Sequence, residues 1–512
     1  MQTKHFILFS ILLLGSVSCS SSVVLDSANA DDADGTTTAS SELFPADLSV
    51  SSPTNASTIN ASLSASSSVG FAASSADLAL SDTAATVESL LAATDIADCA
   101  FDIEIPNATT APIPECYGPT ADYENHPDIG DENSGELPSG DLGLWTADDA
   151  TTGLACSAAE LNYRLDLVEA RAEMAQLSLA SMVCVLNNSK TVSMPTSGST
   201  ADLTTELAAV LDSSTVSISS ATLALETTSG LNTYTYALSL NVTDATTAEV
   251  QALTINMTHD LADEKGTSFS GVMNYQFNDT VAGGNCIGDV TEAGSVKYSK
   301  DDTGNYGIRA DSAEFCMSDD SPFTADGVLD PTYQYDGVTA GGWGNNYNIF
   351  LAKYDPATLE GNYSNSWQAG SQDSNTRVFN LAIASVEKEK TGEAYFGYGL
   401  DVGDENFDGS IAGFICDWAV EGSSHTLTES VQHQSLVLDG EEFTASASDI
   451  LYAPTSSCDY IPADDTDGFV FSYDLDGDGT ISEDETLSIA TDGIANGLLD
   501  ITEMDFEVPA TL

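Results

Sequence analysis

Between residues 157 and 186 apolar side chains recur in alternating steps of four and three: Leu161, Leu165, Val168, Ala172, Ala175, Leu179, Met182 and Leu186. At about 3.6 residues per turn these positions form one stripe along a helix of about eight turns. Ser157, with Glu160 three residues on, fits a capping box at its start. Arg164, Glu169, Arg171 and Glu173 fall off the stripe and are expected on a wet face. A stripe this short and Ala-rich predicts packing on its own domain rather than a coiled-coil dimer.

From about residue 214 the period changes to two. Thr215–Leu225, Thr233–Val242 and Arg377–Val386 alternate β-branched or apolar residues with Ser, Thr and Asn, and turn residues recur between such runs. Alternation of this kind predicts antiparallel strands with one wet face, about a dozen of them. The expected fold is α+β: a large antiparallel sheet or barrel-like body covered on its apolar side by the long helix, followed by a small C-terminal segment.

The flanks differ in texture. Residues 19–76 are mostly Ser, Ala, Thr and Asp and hold too little apolar surface to offset the entropy of ordering them. They read as a flexible tether with a span of roughly 40 Å. Residues 77–213 form a helical region, with a helix expected over 77–95 and a long Pro-, Gly- and Asp-rich connection over 100–155. The β domain then covers 214–459, and 460–512 is the C-terminal segment.

The first 18 residues change the compartment. Lys4 precedes an apolar run ending at Leu14, too short to span a bilayer, which is the form of an export signal. Gly15-Ser-Val-Ser18-Cys19 resembles the processing site of bacterial lipoproteins, which implies cleavage before Cys19, lipidation of its thiol, and an outer-membrane or cell-surface location. Ordinary signal cleavage beside Ser16 and Ser18, giving a secreted protein, is the alternative.

With Cys19 set aside, Cys99, Cys116, Cys156, Cys184, Cys286, Cys316, Cys416 and Cys458 remain. An even set in an exported chain predicts disulfides. Cys156 and Cys184 lie about 40 Å apart on the predicted helix, beyond the roughly 7 Å between Cα atoms that a disulfide spans. Cys99 and Cys116 are therefore the natural partners of Cys156 and Cys184, with the connectivity among these four left open, and Cys286–Cys316 and Cys416–Cys458 are the sequence-local pairs.

A formal charge of −68, from 80 acidic and 12 basic residues, excludes nucleic acid as a partner, since nothing would neutralise phosphates. It also opposes adhesion to anionic lipid, so a membrane is reached only through an N-terminal lipid. Such self-repulsion is tolerable where salt or divalent cations screen it.

One stretch specifies chemistry. Asp474, Asp476 and Asp478 stand at positions 1, 3 and 5 of a twelve-residue run. Gly479 at position 6 tolerates the sharp turn, Thr480 at 7 offers its carbonyl, Ser482 at 9 acts through water, and Glu485 at 12 closes with two oxygens. A hard cation that takes six to eight oxygens is served by this spacing.

The run resembles the loop of EF-hand calcium-binding proteins, over these residues only, which implies Ca²⁺ as the bound ion. A second run, Asp492, Asn496, Asp500 and Glu503, has Ile494 where a ligand belongs, and is either a weaker metal site or a turn paired with the first. Asp404–Ile415 starts similarly but lacks the closing Glu and reads as a turn. The aromatic, β-branched approach Gly468–Tyr473 favours a strand before the first loop and so a strand-loop-helix form.

No His-Glu-x-x-His, Gly-x-Ser-x-Gly or phosphate-binding Gly loop occurs. The expected function is therefore an exported, lipid-anchored, calcium-binding surface protein of structural or binding type, and not an enzyme. The alternatives are a carrier with a hydrophobic ligand under the helix, favoured by a continuous apolar cavity, and a hydrolase, favoured by two close, desolvated carboxylates in a cleft.

Overall fold

A computed structural model describes residues 40–50, 87–103, 122–123, 155–243, 250–279, 290–316, 320–335, 347–356, 361–368, 376–386, 389–399, 411–415, 427–428, 432–439, 442–445, 451–452, 471–472 and 486–487. The period-two region forms an antiparallel meander. After the two-residue β1 (Asp122–Tyr123) come β2 (Ser199–Asp202), β3 (Val216–Thr228), β4 (Leu231–Thr243), β5 (Val250–Leu261), β6 (Phe269–Asp279), β7 (Val290–Lys300) and β8 (Tyr306–Cys316). They continue through β9 (Tyr347–Tyr354), β10 (Gly361–Gln368), β11 (Thr376–Val386), β12 (Glu389–Gly399), β13 (Ile411–Ile415) and β14 (Leu427–Thr428). From β2 to β14 each strand pairs with its sequence neighbours, while β15 (Gln432–Asp439) adds to β12 and carries β16 (Glu442–Ala445) and β17 (Leu451–Tyr452).

The sheet has 16 strands and is open: β2 and β14 end it without meeting. The expected large antiparallel sheet is present, and closure into a barrel is not. In β4 and β5 the buried residues alternate as read, with Tyr234, Tyr236, Leu238, Leu240, Leu253, Ile255 and Met257 facing the core. The opposite face of these strands carries Thr233, Thr235, Ser239, Thr254 and Asn256.

The long helix runs from Cys156 to Asn188, 33 residues, and packs on the inward face of β6, β7, β8, β10 and β12. All eight stripe residues are buried. The expected wet face is where the structure departs from the pattern: Arg171 is 7% and Glu173 5% exposed, and Ala170, Met174, Leu177, Ser178, Ser181 and Val185 are buried too. The sheet curls far enough to cover the helix on more than one side, so the helix is enclosed rather than laid on a surface. The expected cap also differs, since the N-cap residue is Ala155 and not Ser157.

Part of the stretch assigned to the tether is docked. Leu43, Phe44, Leu48 and Val50 are buried in the main core, and Gln176 Nε2 donates to Pro45 O at 3.3 Å and Leu48 O at 2.9 Å. Tyr236 donates to Leu43 O, and Tyr354 to Ser49 O at 3.2 Å. Residues 43–50 thus form a strap across one end of the sheet's inward face. Of the helix expected over 77–95, Val87–Leu91 is helical within the described residues.

The structure settles one cysteine pair that the sequence left open: Cys99 bonds to Cys184, with 5.6 Å between Cα atoms. The preceding helix and 3₁₀ turn (Ile96–Cys99) fold back onto the C-terminal end of the long helix, where Ser181 Oγ donates to Cys99 O at 2.7 Å. The docking of this segment decides which of Cys156 and Cys184 it meets. Cys156 is not bonded to Cys184, as helix length requires, and Cys156 and Cys316 are each disulfide-bonded.

A second core lies on the outward face of the sheet, where residues 320–335 cover Ala293, Ala313, Phe315, Ile349 and Leu351. Beneath this flap Arg309 Nη2 donates to the fully buried Asp311 at 2.8 Å, and Tyr347 donates to Leu329 O at 2.9 Å.

Two strand glycines have a packing reason. Gly294 is directly opposite Tyr275, and Gly271 opposite Tyr298; a Cβ at either position would overlap the facing tyrosine ring. Each tyrosine lies over the sheet where its neighbour has no side chain. Gly294→Ala is expected to cost about 1–3 kcal/mol through overpacking. Tyr275→Phe should be neutral or stabilising, because the Tyr275 hydroxyl is buried without a partner. Thermal unfolding of the two variants checks both.

Candidate functional site

The residues expected to hold calcium, Asp474, Asp476, Asp478, Thr480, Ser482 and Glu485, lie outside the described residues, as do Asp492, Asn496, Asp500 and Glu503 of the second run. Cys19, Cys116, Cys286, Cys416 and Cys458 lie outside them too. What is described is the frame of the first run. Residues 473–485 connect β18 (Phe471–Ser472) to β19 (Thr486–Leu487), which pair antiparallel with Ser472 opposite Thr486. Asp122 and Tyr123 of β1 pair with β18 on its other side.

A strand before the run agrees with the reading of Gly468–Tyr473. The segment directly after it is also a strand, which corrects the expected strand-loop-helix form at that point. Phe471 stands opposite Leu487 in the antiparallel pair, so the chain enters a strand ladder there in place of a helix. Cross-strand pairing brings the backbone at the two ends of the run within about 5.5 Å. Among the described residues, no group of three His, Cys, Asp or Glu is arranged to hold a metal.

The described residues do bring together a second set of polar groups, inside the curl of the sheet. Glu169 and Glu173 stand one turn apart on the long helix and line a recess with Ala172, Gln176, Met273 of β6 and the strap residues Leu48, Ser49 and Val50. The recess has about 10 Å³ of free space, room for one water. Burial in this apolar setting penalises the charged form, and Asp166 adds repulsion, so the Glu169 carboxyl is pushed up to about 8. Burial, then Glu169, raises Glu173 well above the carboxylate range. Glu173 Oε2 is buried without a hydrogen-bond partner.

On the sheet side Arg171 forms an ion pair with Glu292 of β7 and lies over the Phe277 ring. Its Nε has no partner, and neither have Tyr275 Oη, Asn348 Oδ1 or Asn365 Oδ1. Further along, His259 is fully buried between Phe269 and Tyr298, 3.1 Å from the Tyr298 hydroxyl through Nδ1. Burial lowers it to about 4. At neutral pH it is therefore an uncharged core ring and not an acid–base group.

Sequence reading did not find this interior set. Glu169, Arg171 and Glu173 were placed on a wet face because they fall off the stripe. The signal that runs against that placement is the stretch 174–188, which contains no charged residue on any face. A helix apolar all round is an enclosed helix.

The Arg171–Glu292 pair is nearly desolvated, with side chains 9% and 19% exposed. Removing one partner of such a pair leaves a buried charge and costs about 3–5 kcal/mol, whereas replacing both by apolar groups is often close to neutral. Arg171→Met is therefore expected to lower stability by about that amount, and Arg171→Met with Glu292→Leu to recover much of the loss. Denaturant unfolding of the single and double variants measures the difference.

Compared with known proteins, the chain matches no family model, no curated protein and no solved structure.

Proposed function

We propose that this chain is an exported, lipid-anchored surface protein that binds Ca²⁺ through Asp474–Glu485, with the ion stabilising the C-terminal segment and the helix-filled sheet acting as a structural or binding scaffold. The observation that carries this reading is the spacing of three Asp, a Gly and a closing Glu in one run of twelve. The pairing of β18 with β19 supports it. Chain ends held side by side let the first and last ligands, Asp474 and Glu485, reach one ion without the entropy cost of closing the loop in each binding event.

The filled interior favours a scaffold over a carrier. The inward face of β6 to β10 is occupied by the long helix and its apolar side chains, and the recess at the strap has room for one water. It also weighs against a hydrolase. Glu169 and Glu173 are desolvated carboxyls, but with the strap seated no sugar or peptide bond reaches them. Calcium outside a cell, at millimolar level, keeps even a weak site filled, so the ion stabilises here and does not signal.

Without calcium, Asp474, Asp476, Asp478 and Glu485 repel one another. Added calcium is expected to raise the stability of the C-terminal segment by about 2.7 kcal/mol at a hundredfold excess over Kd. Magnesium should do less, because it holds its water and demands short octahedral contacts. Glu485→Gln should remove most of the calcium-dependent shift, and Glu503→Gln little of it. Calorimetric titration of the full chain, wild type beside each variant, is the measurement. Equal calcium uptake by wild type and Glu485→Gln would assign the ion to the acidic surface instead.

Intact-mass and peptide analysis of the native protein should find a diacylated Cys19 as its first residue. A soluble chain beginning at or after Cys19 without lipid would replace anchoring by secretion.

A further inference from the structure

The recess between the strap and the long helix holds two carboxyls and no cation. Glu169 sits half-buried at its edge and Glu173 is buried within it, with Oε2 unpartnered. The wall facing them is the strap: Leu48, Ser49 and Val50, none charged. The sheet contributes Met273, also uncharged. On the helix the nearest ionisable neighbour is Asp166, another acid.

The positive groups close by are committed elsewhere. Arg171 pairs with Glu292 on the sheet side, and Lys300 pairs with Asp47, the strap carboxylate, which also accepts from Tyr306. Glu88, exposed on the short helix Val87–Leu91, faces Asp47 and adds only negative charge. Two charges one turn apart here have no counter-ion among the described residues, and Glu173, the buried one, has little water around it. That state is stable only if the carboxyls keep their protons or the wall moves.

The strap is the wall able to move. The helix and β6 are tied into long backbone ladders, whereas the strap is held at separate points. These are the Gln176 clamp on Pro45 O and Leu48 O, the Tyr236 and Tyr354 hydroxyls on Leu43 O and Ser49 O, and the Asp47 contacts. Its apolar anchors are Leu43, Phe44, Leu48 and Val50.

We propose that residues 43–50 are a proton-controlled latch: the strap is seated while Glu169 and Glu173 carry protons and is released, exposing the inward face of the helix and β6, as they ionise. The direction follows from the sign of the burial effect. Both carboxyls hold protons more tightly in the seated form than in water, so the seated form is favoured at low pH. That preference is lost as pH rises toward and through about 8, where Glu169 ionises. Glutamine has the shape of a protonated glutamate and cannot ionise, so it should fix the latch shut.

Hydrogen–deuterium exchange of the full chain, as protection factors from pH 6 to pH 9, tests the latch. In wild type, protection of peptides spanning 42–50 is expected to fall at least tenfold over this range, while β4–β6 keep theirs. In Glu169→Gln/Glu173→Gln the strap should stay protected within about twofold at every pH. Unchanged strap protection in wild type overturns the latch, as does the same loss in the glutamine variant. Loss spread evenly over the sheet would mean global loosening and also overturns it. If calcium chloride at pH 9 restores strap protection in wild type but not in the glutamine variant, the recess is a cation site and proton control is wrong. The wild-type profile alone suffices should the double variant not fold.

Discussion

The enclosure of the long helix is the constraint on which the rest of this structure depends. A 33-residue helix with buried side chains on every face needs a partner on every face, and one flat sheet offers only one. A sheet whose neighbouring strands twist by about 20–25° curls as strands are added, so a long meander can wrap where a short one cannot. Length here replaces closure. The sheet gathers enough strands to cover the helix without its edges joining, and the strap and the segment carrying Cys99 cover the helix faces the sheet leaves. The disulfide to Cys184 fixes that second cover by covalent means, with 85 residues between its ends.

Enclosure also dictates where the charges go. Among 12 basic residues facing 80 acidic ones, three arginines pair with a carboxylate at a buried or nearly buried position. Arg164 pairs with Glu160, Arg171 with Glu292, and Arg309 with Asp311. An arginine on the surface of so acidic a chain would relieve repulsion that salt already screens. Inside, where the effective dielectric constant is low, the same charge prevents a costly unpaired carboxylate. These three arginines are thus placed where their interaction is largest. Glu173 is a buried acid whose Oε2 has no such partner.

The sequence made the elements legible and the enclosure much less so. Period-two alternation in Thr233–Val242 reports one buried face directly, and β4 shows it residue by residue. The stripe from Leu161 to Leu186 was equally readable, because core packing on one side selects those positions. The helix's second buried side left a weaker mark, the uncharged stretch after Glu173, which a search for a single stripe passes over. The docking of residues 43–50 left almost none. Leu43, Phe44, Leu48 and Val50 are four apolar residues amid a Ser- and Ala-rich flank, and composition averaged over the flank hides them. That Cys99 would bond to Cys156 or Cys184 was legible in part, because helix length forbids those two to bond to each other; which of them it takes was not, since that is set by how a segment folds back on the far end of a helix. The run Asp474–Glu485 is the reverse case, since its proposed ligands are local in sequence and the expectation rests on their spacing alone.

Local and enclosed acids answer to different physics in the same chain. In Asp474–Glu485 four carboxylates are close in sequence between paired strands, and under the proposed function a divalent ion would satisfy several of them at once. In the recess the two glutamates are lined mostly by uncharged side chains, with Asp166 adding further negative charge and space for a single water, and a proton is the smallest species that can neutralise them. Which neutraliser a site takes follows from how many oxygens converge and how much room surrounds them. A chain this acidic must settle that choice wherever its carboxylates meet. Where oxygens are many and open to solvent, metal is favoured; where they are two and dry, protonation is. The strap is where the second kind of choice can be seen from outside, because its apolar anchors are held against the one part of the interior whose charge is not fixed.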